Sequence, residues 1–511
     1  MDSTVMLTGM LPFVVLVAAV LTALTSAFFL WLYRRATLRA MERYAGAEGP
    51  PLTQEEKRGA VAKNSTPLTI KSWQDDMPVT SADAETAYRR AAHSLRSAAM
   101  VYAAGGLAYA LILAMAWMIA AGADYSLGRF LWLLTCYAWP TVFAFNIIAV
   151  MDRRVSLLAT CSYFAIVAVI ALYVLVRSPN VSTGQLVFLW FFANAPGTVL
   201  LLTFFHRRVR SVGPLVLAFM VVGVTGAFLA VEVVRNNEGL LGGIVSIGDA
   251  VGLGATALFV LMLAAGFAVF GLLGWWLLGR IGRFYRAKRL SDQSLTLDSL
   301  WLLFGVVQSF TLVFEGWGWI FTGLVAFAAY KAVTRVGFAL LRKRASSDLR
   351  SPMLLLLRVF ALGRRSEQFF GTFSKLWRRS GSISLIAGPD LLTAVVEPHE
   401  FLDFVSGRLS RQFVQDEADL KQRLTVLDRQ PDPDGRYRVN EFFCHADTWR
   451  MTMRQLAKDS DAVLMDLRSF SHANHGCLYE LAQLLDIVDL ERVLFLVDET
   501  TDRQFLQEKL Q

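Results

Sequence analysis

Residues 461–486 read DAVLMDLRSFSHANHGCLYELAQLLD. An apolar run ends at Asp466-Leu467-Arg468, and a polar loop follows with Ser469, Ser471, His472, Asn474 and His475. Gly476 then opens an amphipathic run, so the stretch spells strand, loop and helix. Glu480 falls about one turn beyond Gly476, where helical phase keeps it near the strand end. The same alternation recurs in both directions. Strands are expected over 353–360, 382–387, 437–444, 462–467 and 492–497. Helices are expected over 366–379, 400–412, 418–427, 447–459, 477–485 and 501–510. Short strands alternating with helices signal a parallel sheet covered on both faces. Residues 345–511 are therefore expected to form a cytosolic, flavodoxin-like α/β domain with a five-stranded parallel sheet.

Upstream the composition changes. The whole chain of 511 residues is 55% hydrophobic and only 18% charged, against roughly 25% charged in soluble domains. Residues 1–344 hold 29 Lys and Arg against 17 Asp and Glu, whereas residues 345–511 hold 21 against 25. A single soluble enzyme and a disordered scaffold are excluded. Four cysteines with no CxxC pair exclude a disulfide framework. A bilayer core needs about 20 apolar residues as helix. Nine stretches approach that length, near 10–33, 98–121, 130–150, 155–176, 185–205, 213–234, 251–279, 297–315 and 318–340. The expectation is a multi-span helical bundle of about nine helices. Residues 1–33 hold the first span, 34–97 a cytosolic loop with an amphipathic helix along the membrane surface, and 98–344 spans two to nine.

Positive charge sets the orientation. Basic clusters at Arg34/Arg35/Arg39/Arg43, Arg153/Arg154, Arg207/Arg208/Arg210, Arg280–Arg289 and Arg342–Arg344 occupy alternate loops, and the other loops hold Arg129, Arg177 and Arg235. This places the N-terminus outside and the C-terminal domain in the cytoplasm of a bacterial-type inner membrane. Polar residues within the apolar stretches are Asn146, Asn194, Glu232, Gln308 and Glu315. No paired intramembrane charge is read from the sequence, so the bundle is expected to be an anchor or sensor, with transport as the alternative. A homo-oligomer through the bundle is compatible with it, and no nucleic acid partner is expected.

In open α/β sheets, ligands bind beyond the carboxyl ends of the strands. That rule selects Arg358, Gly388-Pro389-Asp390, Cys444-His445, Asp466-Leu467-Arg468 and Asp498-Glu499; Arg358, Asp390, Asp466 and Arg468, with Gly476 and Cys477 of the following turn, are the ligand-binding candidates, and Glu480 is the catalytic one. A helix N-terminus beside Glu480 favours ionisation and offers N–H groups to a phosphate. An ionised carboxylate there suits cleavage at a ribose C1′. Cys477 is a candidate nucleophile if exposed. Cys444, His445, His472, His475 and Cys477 match no metal-ligand spacing, and no metal is expected.

Gly476-Cys477-Leu478-Tyr479-Glu480-Leu481 after an apolar strand resembles the "WCxxEL" helix of TIR domains. The segment from Asn474 to Leu481 is also similar to the "DxGTxxEL" segment of nucleoside 2-deoxyribosyltransferases. Gly476 stands where the first pattern has Trp, and Asn474 where the second has Asp. The likeness spans 461–498. It implies a flavodoxin-like fold and a nucleotide-like ligand such as NAD, with Glu480 as the acid of an N-glycosidase. Similar domains also act as non-catalytic sensors, signalling or defence modules. Three readings therefore stand: a nucleotide sensor, a glycosidase, and a docking or regulatory tail.

Overall fold

The computed structural model describes residues 3–42, 82–122, 126–148, 153–178, 181–204, 212–310, 312, 315–344, 351–358, 364–388, 396–472 and 474–510. The chain divides into two compact units. One comprises Met1–Leu30, Ala98–Leu341 and Glu397–Leu402, and the other Trp31–Ser97, Arg342–Val396 and Asp403–Gln511.

The first unit is helical. Its elements derive from α1 (Ser3–Glu42), α2 (Ala82–Ala120), α3 (Leu127–Tyr137), α4 (Pro140–Ile148), α5 (Arg153–Arg177), α6 (Thr183–Phe204), α7 (Gly213–Arg235), α8 (Glu238–Val251), α9 (Ala255–Arg286), α10 (Asp292–Phe310) and α11 (Thr322–Arg344). Seven of these are long and apolar enough to cross a membrane, or eight if α3 and α4 count as one span. The expected nine is not matched, for two physical reasons. Pro140 follows α3 and removes a backbone donor, and the α3–α4 pair bends by 41°. Helix α10 carries Asp292, Gln293, Asp298 and Gln308 and is too polar to qualify as a span.

Two further boundaries differ from expectation. Nothing between Ala82 and Tyr102 breaks a helix, so the amphipathic segment and the second span form one 39-residue helix rather than a separate surface helix. Likewise α1 continues to Glu42 through Arg34-Arg35-Ala36, all good helix formers. Helix α8 was not foreseen. Asn237 caps its start by accepting the Leu240 N–H at 3.1 Å, and Gly252 ends it at φ +76°.

Helix α10 is the centre of the first unit: Leu297, Leu300, Trp301 and Phe304 are fully buried. Its Gly305 lies so near Gly323 that a Cβ on Gly323 would come within 2.2 Å of the Gly305 carbonyl oxygen. Only glycine allows that approach. Of the polar residues picked from sequence, Asn194 and Gln308 meet, with Gln308 Nε2 donating to Asn194 Oδ1 at 3.0 Å. Tyr109 Oη donates to Gln308 Oε1 at 3.0 Å. Asn146 Oδ1 is buried without a hydrogen-bond partner among the described residues. Glu232 pairs with Arg235 at the end of α7, 2.7 Å apart, and Glu315 is exposed. Lys331 on α11 pairs with Asp298 on α10 at 2.7 Å, a pair not read from the sequence.

The second unit holds a six-stranded parallel sheet: β1 (Met353–Arg358), β2 (Ser382–Ile386), β3 (Phe413–Val414), β4 (Val439–Cys444), β5 (Ala462–Asp466) and β6 (Val493–Leu496), in the order β3-β4-β2-β1-β5-β6. Five strands lie where expected, within one or two residues at the described ends. The sixth, β3, is a two-residue strand, too short to show any alternation. Without it the five longer strands run 3-2-1-4-5 by rank, which is the Rossmann order and not the flavodoxin-like 2-1-3-4-5.

Both faces of the sheet are covered by helices α12 (Arg364–Trp377), α14 (Glu417–Thr425), α15 (Trp449–Asp459), α16 (His475–Ile487) and α17 (Arg503–Leu510), while α13 (Pro398–Val405) lies between β2 and β3 in the chain. Strand pleating sends Leu354, Leu356, Ile383 and Leu464 to one face, against Phe370 of α12. Leu355, Leu357, Val463 and Met465 go to the other, against Met453 of α15 and Leu481 of α16. Each fully buried side chain of this kind contributes about 1.5–3 kcal/mol. The single helix expected over 400–412 stops at Val405, since Gly407 turns at φ +72° and the chain re-enters as a 3-10 turn at Leu409–Gln412. The C-terminal end of α1 also belongs to this unit. Leu38, Ala40 and Met41 pack on Ala387, Phe413 and Phe443, and the Ala40 carbonyl lies 3.2 Å from His445 Nδ1.

Candidate functional site

The strand order creates one switch point. From β1 the chain passes through α12 to β2 on one side; it reaches β5 on the other side through α15. At such a point the two crossovers diverge and leave a crevice at the carboxyl edge. Arg358 ends β1, Asp466 ends β5, and the two are register partners. The sequence thus named both residues at the mouth of the crevice.

Asp466 is 1% exposed and binds Arg468 through both oxygens: Nε donates to Oδ1 at 2.8 Å and Nη2 to Oδ2 at 2.6 Å. The Arg468 guanidinium also lies over the Phe369 ring of α12, 5.0 Å from its centre. Asp466 raises the Arg468 pKa further by hydrogen bonding. Arg358 is buried, and its Nη1 reaches the Ile386 carbonyl at 3.4 Å. The Arg358 carbonyl accepts the Cys477 thiol at 3.8 Å, which ties the end of β1 to the start of α16.

Glu480 is 3% exposed, and its Oε2 has no hydrogen-bond partner among the described residues. Burial pushes its pKa up to about 8, with the Arg358 charge pulling the other way. The expectation that the helix N-terminus would keep it ionised is therefore overturned. Glu480 is the sixth residue of α16, and the dipole's influence fades after the first turn, so desolvation wins. At neutral pH the group is mainly the neutral acid.

Cys477 is also buried, and burial lifts its thiol to about 12, with the charges of Glu480 and Asp466 adding. It is not the exposed, activated nucleophile the sequence allowed for. Gly476 is exposed with open space around it. Asp390 lies outside the described residues. The metal candidates stay apart in role: Cys444 is buried on β4, His445 stacks on Phe413, and exposed His472 meets Phe505 edge-on. Among the described residues no group of His, Cys, Asp and Glu is arranged to hold a metal ion.

Two residues of the crevice were not named from sequence. Ser366, in the first turn of α12, is 2% exposed with Oγ unpartnered, and Phe369 carries the Arg468 cation. Arg365 pairs with Asp498 beyond β6, and the Thr500 hydroxyl and Arg365 hold the Asp498 carboxyl below its usual range. The arrangement brings Arg358, Asp466, Arg468, Cys477 and Glu480 to one edge of the sheet, with a neutral acid and clustered guanidinium groups. Comparison of the chain with protein-family models, with curated proteins and with solved structures finds no match.

Proposed function

We propose that this membrane protein carries, on its α/β unit, a binding site for a nucleotide-like ligand at the β1–β5 carboxyl edge, and that it acts as a sensor or signalling module. The observation that carries this reading is Glu480: a buried carboxyl with an unpartnered oxygen beside Arg358, at the switch point of the sheet. A buried polar atom without a partner costs about 1–3 kcal/mol, and a ligand group hydrogen-bonded to it would remove that cost. As the neutral acid, Glu480 both donates and accepts, and it does not repel a phosphate held near Arg358. Arg468 is engaged by Asp466 and Phe369, so its role here is to shape the wall of the crevice.

The resemblance of 474–481 to TIR and deoxyribosyltransferase segments supports a nucleotide such as NAD. Binding is favoured over N-glycosidase chemistry, because stabilising a cationic ribose needs the ionised carboxylate, a minor form below pH 8. Basic clusters on alternate loops support a cytoplasmic α/β unit and an outside N-terminus in an inner or plasma membrane. The test is to titrate the purified full chain with NAD, ATP and a deoxyribonucleoside, and to assay released base alongside. Saturable binding of one of them, weakened at least tenfold by Glu480→Ala and without base release, is expected. No binding of any of them overturns the reading, and base release lost in Glu480→Gln replaces it with the glycosidase.

A further inference from the structure

Lys331 lies midway along α11 and donates to Asp298 Oδ2 at 2.7 Å, both side chains being largely buried. Arg335, one turn on, turns a second positive charge toward the same carboxylate. Burying such a pair is costly, and an apolar replacement is often neutral or better for stability. Lys331 lies in a helix apolar enough to cross a membrane, where an ionisable residue marks an ion or proton site by default.

The surroundings narrow the chemistry. Three buried polar atoms here have no hydrogen-bond partner among the described residues: Asp298 Oδ1, Trp301 Nε1 and Tyr330 Oη. The Trp301 and Tyr330 rings pack against each other, their centres 5.1 Å apart and their planes tilted by 35°. From α2, Tyr109 stacks on Trp301 at 4.6 Å and Tyr102 faces Tyr330. A Cβ on Gly105 would lie 2.8 Å from Thr334, and one on Gly106 2.9 Å from Trp301. The space is too tight for a metabolite, and Lys331 with Arg335 opposes a metal cation. A proton, delivered by a water-sized carrier, fits both limits.

We propose that the Asp298–Lys331 pair is a proton-binding site of the membrane unit. A hydronium ion gives its proton to Asp298 Oδ1 and leaves as water; the reverse step restores the carboxylate and its pair with the Lys331 ammonium. Trp301 Nε1 and Tyr330 Oη hold the exchanging water beside Oδ1. This goes beyond the nucleotide reading and does not depend on it.

The test is infrared difference spectroscopy of the full chain in liposomes, between about pH 4 and about pH 10, in a Glu480→Gln background that removes the buried acid of the α/β unit that burial keeps protonated. A protonated-carboxyl band that titrates, and that Asp298→Asn abolishes, is the expected result. Lys331→Met should keep that band to at least tenfold lower proton concentration. Carboxyl spectra unchanged by Asp298→Asn overturn the proposal. Should that variant fail to fold, a band that Lys331→Met does not move overturns it equally.

Discussion

Glu480 in the α/β unit and Asp298 in the membrane unit are both carboxyl groups less than a tenth exposed, each with one oxygen lacking a hydrogen-bond partner. Their neighbours differ. Asp298 touches the Lys331 ammonium at 2.7 Å; Glu480 has Arg358 near it but no ion pair among the described residues, and burial lifts it to about 8. One site answers the cost of a buried charge with a counter-charge, the other by giving up the charge. The contrast teaches that burial alone does not assign a role. An acid held neutral at a sheet edge is ready for a ligand's hydrogen bond, while an acid held against a lysine is ready to exchange that partner for a proton.

Breaking the pair gives the largest expected effect. Lys331→Met leaves Asp298 uncompensated and should cost about 3–5 kcal/mol, read as a lower unfolding midpoint of the full chain in detergent. Combining it with Asp298→Leu should recover most of that loss. A loss under about 1 kcal/mol for Lys331→Met alone would mean the pair behaves as a solvated one.

The counterpart is Glu480→Gln. With a folded pKa near 8 against an ordinary 4.5, the native state holds the proton that the unfolded state has released. Its contribution is full below about pH 4.5 and is lost as pH rises through about 8. Above that, the glutamine variant should be the more stable by a few kcal/mol, with the difference vanishing toward pH 5. A pH-independent difference would place the carboxyl in contact with solvent.

Smaller effects sharpen the picture. Asn194→Leu and Gln308→Leu should each cost about 1 kcal/mol, with a double-mutant coupling of about 0.6 kcal/mol, the scale of hydrogen bonds between membrane helices. Additive effects would show that the 3.0 Å contact contributes nothing. Least in energy, native-state alkylation should leave Cys477 and Cys444 unmodified, since burial lifts both thiols to about 12. Rapid modification of Cys477 would reopen its nucleophilic role.

Periodicity revealed the α/β unit because pleated strands such as Leu354–Leu357 and helices such as α15 obey fixed spacings, and strand ends named Arg358 and Asp466. Strand order was not legible. Nothing in the residues of β1 or β5 records which neighbour each takes, so the Rossmann order replaced the flavodoxin one. The two-residue β3 is below the length at which any period can be read. In the membrane unit, hydropathy found the apolar stretches but overcounted them, because it averages over Pro140 and over the polar face of α10. Asp298 was missed for a related reason. It lies near the start of its stretch and reads as an end residue until Lys331, 33 positions away, is seen against it. The ionisation state of Glu480 needed three dimensions as well, since helix position argued one way and burial the other.

The most direct measurement is calorimetric titration of the full chain with NAD at about pH 6 and about pH 9.5, on either side of the Glu480 pKa near 8. Wild type should bind at the lower pH and at least tenfold more weakly at the higher, whereas Glu480→Gln, neutral at both, should bind with nearly the same affinity at the two pH values. Wild-type binding that does not change between the two, or no binding at either, would contradict a ligand site built on the neutral acid of Glu480.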